Sequence, residues 1–88
     1  MSKTIWKFEV RPKTMTQLPE GAEILSAASQ GDSIFIWAVV DPEAPKSGRL
    51  VNVYGTGHVI PDYPGKFIGT VMLYGGSLVF HIFDAGPA

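Results

Sequence analysis

Residues 34–40 are apolar at every position, and all of them except Ala38 are β-branched or aromatic. Such side chains favour strands, and a run without any polar position is typical of a strand that is covered on both faces. We therefore predict a β-strand that lies centrally in its sheet, or whose second face is buried between subunits. This requirement restricts the chain to folds in which a sheet has two covered sides.

The remaining chain favours the same class, because apolar residues alternate with polar ones in several short stretches and no segment is convincingly amphipathic as a helix. Gly31-Asp32 and Gly75-Gly76 lie between such stretches and predict tight hairpins. The segment 13–21 is predicted to be a polar connection with at most one helical turn. The predicted strands are residues 4–10, 23–29, 34–40, 49–58, 66–74 and 77–83. We expect an all-β fold of six short, mainly antiparallel strands, either a small barrel or a two-layer sandwich.

Length and composition predict one domain over residues 1–88, with a frayed tail at residues 84–88. The chain has no cysteine and only two histidines, so we expect neither disulfides nor a metal site, and no pattern indicates a cofactor. With 45% hydrophobic and 17% charged residues, the chain is apolar for so small a domain. Self-association would hide this apolar surface, and we expect a homo-oligomer.

A net charge of −1 argues against a nucleic-acid polymer as partner. No run of eighteen apolar residues is present, so no membrane partner is expected. The N-terminal residues alternate apolar and charged side chains, unlike a signal peptide. These features predict a cytoplasmic protein.

The candidate binding site follows the strand that ends near position 58, where glycines, a histidine and aromatic residues coincide. Glycine-rich backbone can form a concave nest for a phosphate, and a histidine or a threonine can add donors. The alternative interpretation is a bulge or bend where the strand leaves its sheet. An exposed aromatic ring in the following loop and an arginine at the start of the strand complete the candidate set. The predicted ligand-binding residues are Tyr54, Gly55, Thr56, Gly57, His58, Tyr63 and Arg49.

Other assignments of these side chains stay open. Arg49 also suits a rim salt bridge to Asp41 or Glu43, and His81 suits a partly buried structural role on the face of Val79 and Phe83. No serine, cysteine or paired carboxylate stands at a spacing typical of catalysis. We therefore expect a protein that is not an enzyme.

Five segments of the chain carry a family resemblance: residues 4–9 (TIWKFE), 21–25 (GAEIL), 37–42 (WAVVDP), 54–61 (YGTGHVIP) and 75–83 (GGSLVFHIF). Together these segments resemble a small family of uncharacterised proteins encoded by phages and bacterial prophages. The resemblance implies a phage origin and a host bacterial cytoplasm, and it implies no catalytic residue.

These observations give one leading hypothesis and two alternatives. The first is an oligomeric phage accessory protein that sequesters a small anionic, nucleotide-type signal of host defence at or near a subunit boundary. The second is a protein–protein interaction module that inhibits a host protein. The third is a virion or assembly accessory protein.

Overall fold

Seven β-strands account for most of the chain in the computed structural model, which describes residues 2–88. A short 3₁₀ turn at Tyr74–Gly76 links the last two strands. The strands are β1 (Thr4–Val10), β2 (Thr16–Pro19), β3 (Glu23–Gln30), β4 (Ser33–Val40), β5 (Lys46–Gly55), β6 (Lys66–Leu73) and β7 (Leu78–Pro87).

The strands form two antiparallel sheets, a three-stranded one in the order β1-β4-β3 and a four-stranded one in the order β2-β5-β7-β6. One hydrophobic core contains buried residues of both sheets, among them Ile36 and Ala38 of β4 and Ile82 of β7. The sheets approach each other where Gly69 of β6 lies against Ala27 of β3, but β3 and β6 are not hydrogen-bonded neighbours. The all-β, antiparallel prediction is confirmed, and the architecture is two sheets and not a closed barrel.

The predicted number of strands is wrong by one, because β2 lies in the segment that we expected to be a polar connection. Leu18 and Pro19 are fully buried there, and β2 pairs with the start of β5. Proline donates no ladder hydrogen bond and is tolerated on an edge strand, which is where Pro19 lies. A strand of four residues is too short for its alternation to stand out in the sequence.

The apolar run in β4 is central in its sheet, as predicted, since β1 and β3 pair with it on either side. Its alternate residues Ile34, Ile36, Ala38 and Val40 are buried toward the other sheet. The opposite face, which carries Trp37, is only half-buried within the described residues. That this second face lies between subunits stays a prediction.

Both predicted hairpins are present: Gln30 pairs with Ser33, and Leu73 pairs with Leu78. Gly31, Gly75 and Gly76 have positive φ, which tight turns of this kind require. The strand predicted over 49–58 instead runs over Lys46–Gly55, because the chain turns immediately after Gly55. No helix in residues 2–88 has the length and apolar character needed to cross a membrane.

The predicted frayed tail is wrong, because residues 84–87 belong to β7 and pair with β5. Asp84 accepts hydrogen bonds from Arg49 Nε at 3.0 Å and from Arg49 Nη2 at 2.9 Å, in a fork-like contact between two mostly buried side chains. The backbone N–H of Gly86 also donates to Asp84, at 2.9 Å. Beyond β7, the Ala88 N–H donates to the Gly48 carbonyl at 3.0 Å. The alternative salt bridges of Arg49 to Asp41 or Glu43 are therefore not formed.

The Arg49–Asp84 pair predicts a dependence of stability on pH. Burial alone would raise the pKa of Asp84, but the hydrogen bonds from Arg49 and Gly86 and the charges of Arg49 and Lys66 outweigh it and hold this pKa below its ordinary 3.8. A carboxylate with a lowered folded-state pKa stabilises the fold above its unfolded-state pKa, and the contribution is lost as pH falls through the folded-state value.

We expect Asp84→Asn to lower the free energy of unfolding by about 1–3 kcal/mol at neutral pH, since it weakens hydrogen bonds to a charged partner. As pH falls below the ordinary carboxyl pKa of 3.8 and through the lowered pKa of Asp84, the wild-type carboxylate becomes protonated, and the difference between the two proteins should shrink. Urea unfolding across this pH range measures both effects. Glu43→Gln, at an exposed carboxylate, is the control and should change little. An equal loss at all pH values would contradict the role of the charge.

Candidate functional site

A surface pocket of about 240 Å³ lies where β5 leaves the four-stranded sheet. It is formed by the end of β5, the segment that follows it, and neighbouring side chains of β6 and β7. Five of the seven predicted ligand-binding residues line it. The lining residues are Tyr54, Gly55, Thr56, Gly57, His58, Ile60, Phe67, His81 and Phe83.

The chain reverses at the first edge of the pocket through a turn over residues 55–58. The N–H of His58 donates to the Gly55 carbonyl at 3.1 Å, and Gly57 has a φ of 88°, which favours glycine. The His58 ring lies against Gly55, since a Cβ added at Gly55 would be 2.8 Å from Cε1 of that ring. Glycine at this position therefore lets the imidazole lie directly on the backbone.

The predicted anion nest of successive free N–H groups is not formed at this turn. The N–H of Thr56 donates to the Val79 carbonyl at 3.2 Å, and that of His58 is used by the turn. The alternative interpretation, a bend where the strand leaves its sheet, describes this backbone. Within residues 2–88 the exposed His58 ring makes no side-chain hydrogen bond, so its nitrogens are accessible to a ligand.

His81 of β7 lines the pocket and contacts one threonine of the loop after β5 and one threonine of β6. Its Nε2 is 2.7 Å from Thr56 Oγ1, and its Nδ1 is 3.0 Å from Thr70 Oγ1. Hydroxyls can donate or accept, so both contacts are compatible with either tautomer. His81 is half-buried and hydrogen-bonded, as the sequence predicted, and it also lines the pocket, which we did not expect.

Three aromatic rings form one wall of the pocket. Tyr54 and Phe67 each meet Phe83 edge-to-face, with ring centroids 5.8 Å and 5.6 Å apart. Aromatic pairs prefer this edge-to-face geometry, which holds the three rings in a defined arrangement. Because Phe67 remains 54% exposed, part of this surface is available to a ligand.

Two predicted binding residues lie outside this lining. Arg49 is engaged by Asp84, so its guanidinium is not available to a phosphate at the pocket. Tyr63 is 94% exposed, in agreement with its predicted exposure, and it does not contribute to the lining. No lysine or arginine is among the described lining residues, and no three histidine or acidic side chains in residues 2–88 cluster closely enough to hold a metal ion.

Comparison with known families gives a match over residues 1–88 to the family described as Domain of unknown function (DUF7352). The chain belongs to this family. Neither the curated proteins nor the solved structures contain a match to the chain. The family description assigns no activity, so the functional argument rests on the pocket.

The sequence did not single out Phe67, His81 and Phe83 as site residues. They reach the pocket through strand pairing, since Tyr54 faces His81 and Phe67 faces Phe83 across the sheet. Alternation correctly places His81 and Phe83 on one face of β7. Once β7 is known to pair with β5, this alternation is sufficient to place His81 and Phe83 beside Tyr54 at the candidate site.

The loop of residues 56–65 depends on Gly65 at its second end. Gly65 has a φ of 106°, and a Cβ added there would overlap the backbone carbonyl of Asp84. We expect Gly65→Ala to lower the free energy of unfolding by about 2–4 kcal/mol, from unfavourable φ and overlap together.

Gly31→Ala is the matched control for Gly65→Ala. Gly31 also has positive φ, 58°, but no atom lies within 4 Å of its added Cβ. For Gly31→Ala we therefore expect only the cost of positive φ in alanine, a loss of about 1 kcal/mol in the free energy of unfolding. Thermal and urea unfolding of the two variants measure the difference, and an equal loss would contradict the close packing of Gly65 on β7.

Proposed function

We propose that the chain is a non-enzymatic binding domain that takes a nucleotide-type small molecule by its base. The observation that carries this proposal is the wall of Tyr54, Phe67 and Phe83 beside the accessible His58 ring. Aromatic rings stack on any nucleobase, and an imidazole nitrogen can donate to, or accept from, a base edge.

The size and charge of the pocket favour the base over the phosphate. Its volume of about 240 Å³ is below the ~300–1,000 Å³ usual for whole drug-sized ligands, so one ring system fits best. A buried phosphate needs converging charged or N–H donors, which the described lining does not offer. In this proposal the anionic part of the ligand stays at the solvent-exposed mouth, where His58 and the Gly57 backbone lie.

The resemblance to phage-encoded proteins extends the proposal to a biological role. A phage protein in the host cytoplasm that binds such a molecule would withdraw a nucleotide-type defence signal from its receptor. Binding without turnover is sufficient for this role, and it fits the absence of a catalytic spacing in the sequence.

The first test is a thermal-shift screen with nucleosides, mononucleotides, cyclic mononucleotides, cyclic dinucleotides and ADP-ribose-type compounds. A ligand at 100 times its Kd stabilises the folded state by about 2.7 kcal/mol and raises the melting temperature. We expect nucleosides to account for most of the shift given by the corresponding nucleotides. The absence of any shift at millimolar concentration would contradict the proposal.

For a compound that binds, Phe67→Ala should weaken the affinity by about 5–150-fold, since stacking on one aromatic ring contributes roughly 1–3 kcal/mol. Titration calorimetry measures the change. Met72→Ala is the control, because Met72 is a similarly exposed apolar side chain of β6 outside the pocket lining. Equal affinities for both variants would place the ligand elsewhere.

A second candidate function is a protein-docking module that uses the tip of the loop. Val59 is 95% exposed and Tyr63 is 94% exposed, and neither lines the pocket. Exposed aromatic residues on loops are frequent hot spots of protein interfaces.

The docking function predicts a pattern opposite to that of the pocket. In a pull-down from bacterial lysate, Tyr63→Ala should lose a stoichiometric host partner that Phe67→Ala retains. Retention of the partner by Tyr63→Ala would argue against docking through this loop.

A further inference from the structure

The two sheets expose their edges unequally. β2 is a four-residue edge that ends in Pro19, and the edge of β3 faces β6 where Ala27 meets Gly69. β1 has seven residues, contains no proline or bulge, and pairs only with β4 among the described strands. A long, regular free edge presents unpaired N–H and C=O groups and can accept a further strand.

The outward face of β1 carries two opposite charges that are two residues apart. Lys7 and Glu9 are exposed and pair in register with Trp37 and Phe35, on the face away from the core. The ammonium of Lys7 lies over the Phe35 ring, 4.8 Å from its centroid, and donates to Gln30 Oε1 of β3 at 2.8 Å. Pairing with Glu9 of a second copy would exchange this hydrogen bond for an ion pair. Glu9 contacts Arg11 at 3.3 Å. Both charges are therefore held on the outer face of the three-stranded sheet.

We propose that β1 pairs with β1 of a second copy of this chain, antiparallel and about a two-fold axis through Phe8. In this register Lys7 lies opposite Glu9 of the second copy, and Glu9 lies opposite its Lys7. Two attractive cross-strand pairs form, and the two three-stranded sheets become one six-stranded sheet. Each copy uses the same surface, as a closed two-fold dimer requires.

The neighbouring registers are less favourable for physical reasons. A shift by one residue would place the core face of one copy on the solvent face of the other. A shift that centres the axis on Lys7 or on Glu9 would place like charges directly opposite each other, which destabilises the pair. The charges of Lys7 and Glu9 therefore favour the register centred on Phe8 over the registers centred on Lys7 and on Glu9.

The inner face of β1 gains contacts in the same register. Phe8 meets its own copy, and Trp6, which is 36% exposed in the single chain, lies opposite Val10 of the second copy. The interface covers apolar surface that the single chain leaves partly exposed. The pocket and its loop are not part of β1, so this inference does not rest on the proposed function.

Charge reversal tests both the partner and the register. Lys7→Glu places two carboxylates opposite each other in both cross-strand pairs, and Glu9→Lys places two ammonium groups there. Each variant alone should therefore dimerise at least about tenfold more weakly than wild type. A mixture of the two variants should form a heterodimer, because one chain then carries two carboxylates and the other carries two ammonium groups, and both cross-strand pairs are attractive. The double variant Lys7→Glu/Glu9→Lys should dimerise like wild type.

Sedimentation equilibrium over concentrations up to about 1 mM measures these affinities, and circular dichroism confirms that the variants fold. Lys46→Glu, an equal charge change at the exposed first residue of β5, should dimerise like wild type. The proposal is overturned if wild type remains monomeric. It is also overturned if Lys7→Glu and Glu9→Lys both dimerise with the affinity of wild type. That result would place the interface elsewhere, for instance on the half-buried face of β4.

Discussion

The four-stranded sheet depends on the pairing of its last strand along both sides. β7 lies between β5 and β6, so without it β6 would have no hydrogen-bonded neighbour and β2-β5 would be a two-stranded ribbon. Isolated two-stranded pairs are marginal in water. The Arg49–Asp84 contact joins β5 to β7 near the chain end and supplies a fixed, charge-assisted link in a domain without disulfides.

The same strand contributes to stability and to the candidate site through its alternation. Ile82 is completely buried in the core, whereas its neighbours His81 and Phe83 face the pocket. His81 also connects the start of the loop to β6 through two threonine hydroxyls. The pocket can therefore form only when β7 is paired with both β5 and β6.

Local patterns predicted the features that are determined locally. The alternation in residues 4–10, the central position of β4 and the hairpins at Gly31 and at Gly75-Gly76 all follow from neighbouring residues, and the structure confirms them. The errors concern contacts between distant segments. Asp84 resembled the start of a frayed tail because its partner Arg49 is 35 residues earlier.

The candidate site shows the same limit: residues 54–58 are adjacent in the sequence and do line the pocket, whereas Phe67 and Phe83 reach it by strand pairing, which composition does not reveal. Arg49 was predicted to be available for a phosphate for the same reason, since nothing near it in the sequence indicates that a carboxylate of β7 holds it.

The location of the pocket changes how binding and self-association would be related. The pocket lies on the four-stranded sheet and the loop after β5, whereas β1 belongs to the three-stranded sheet. That the ligand is bound at or near a subunit boundary stays a prediction. A dimer through β1 would carry two pockets that share no residue. Coupling between sites requires that a ligand interact differently with two states of the assembly. Nothing in this arrangement supplies such a difference, so the two pockets should bind independently, and dimerisation would act chiefly by stabilising the three-stranded sheet.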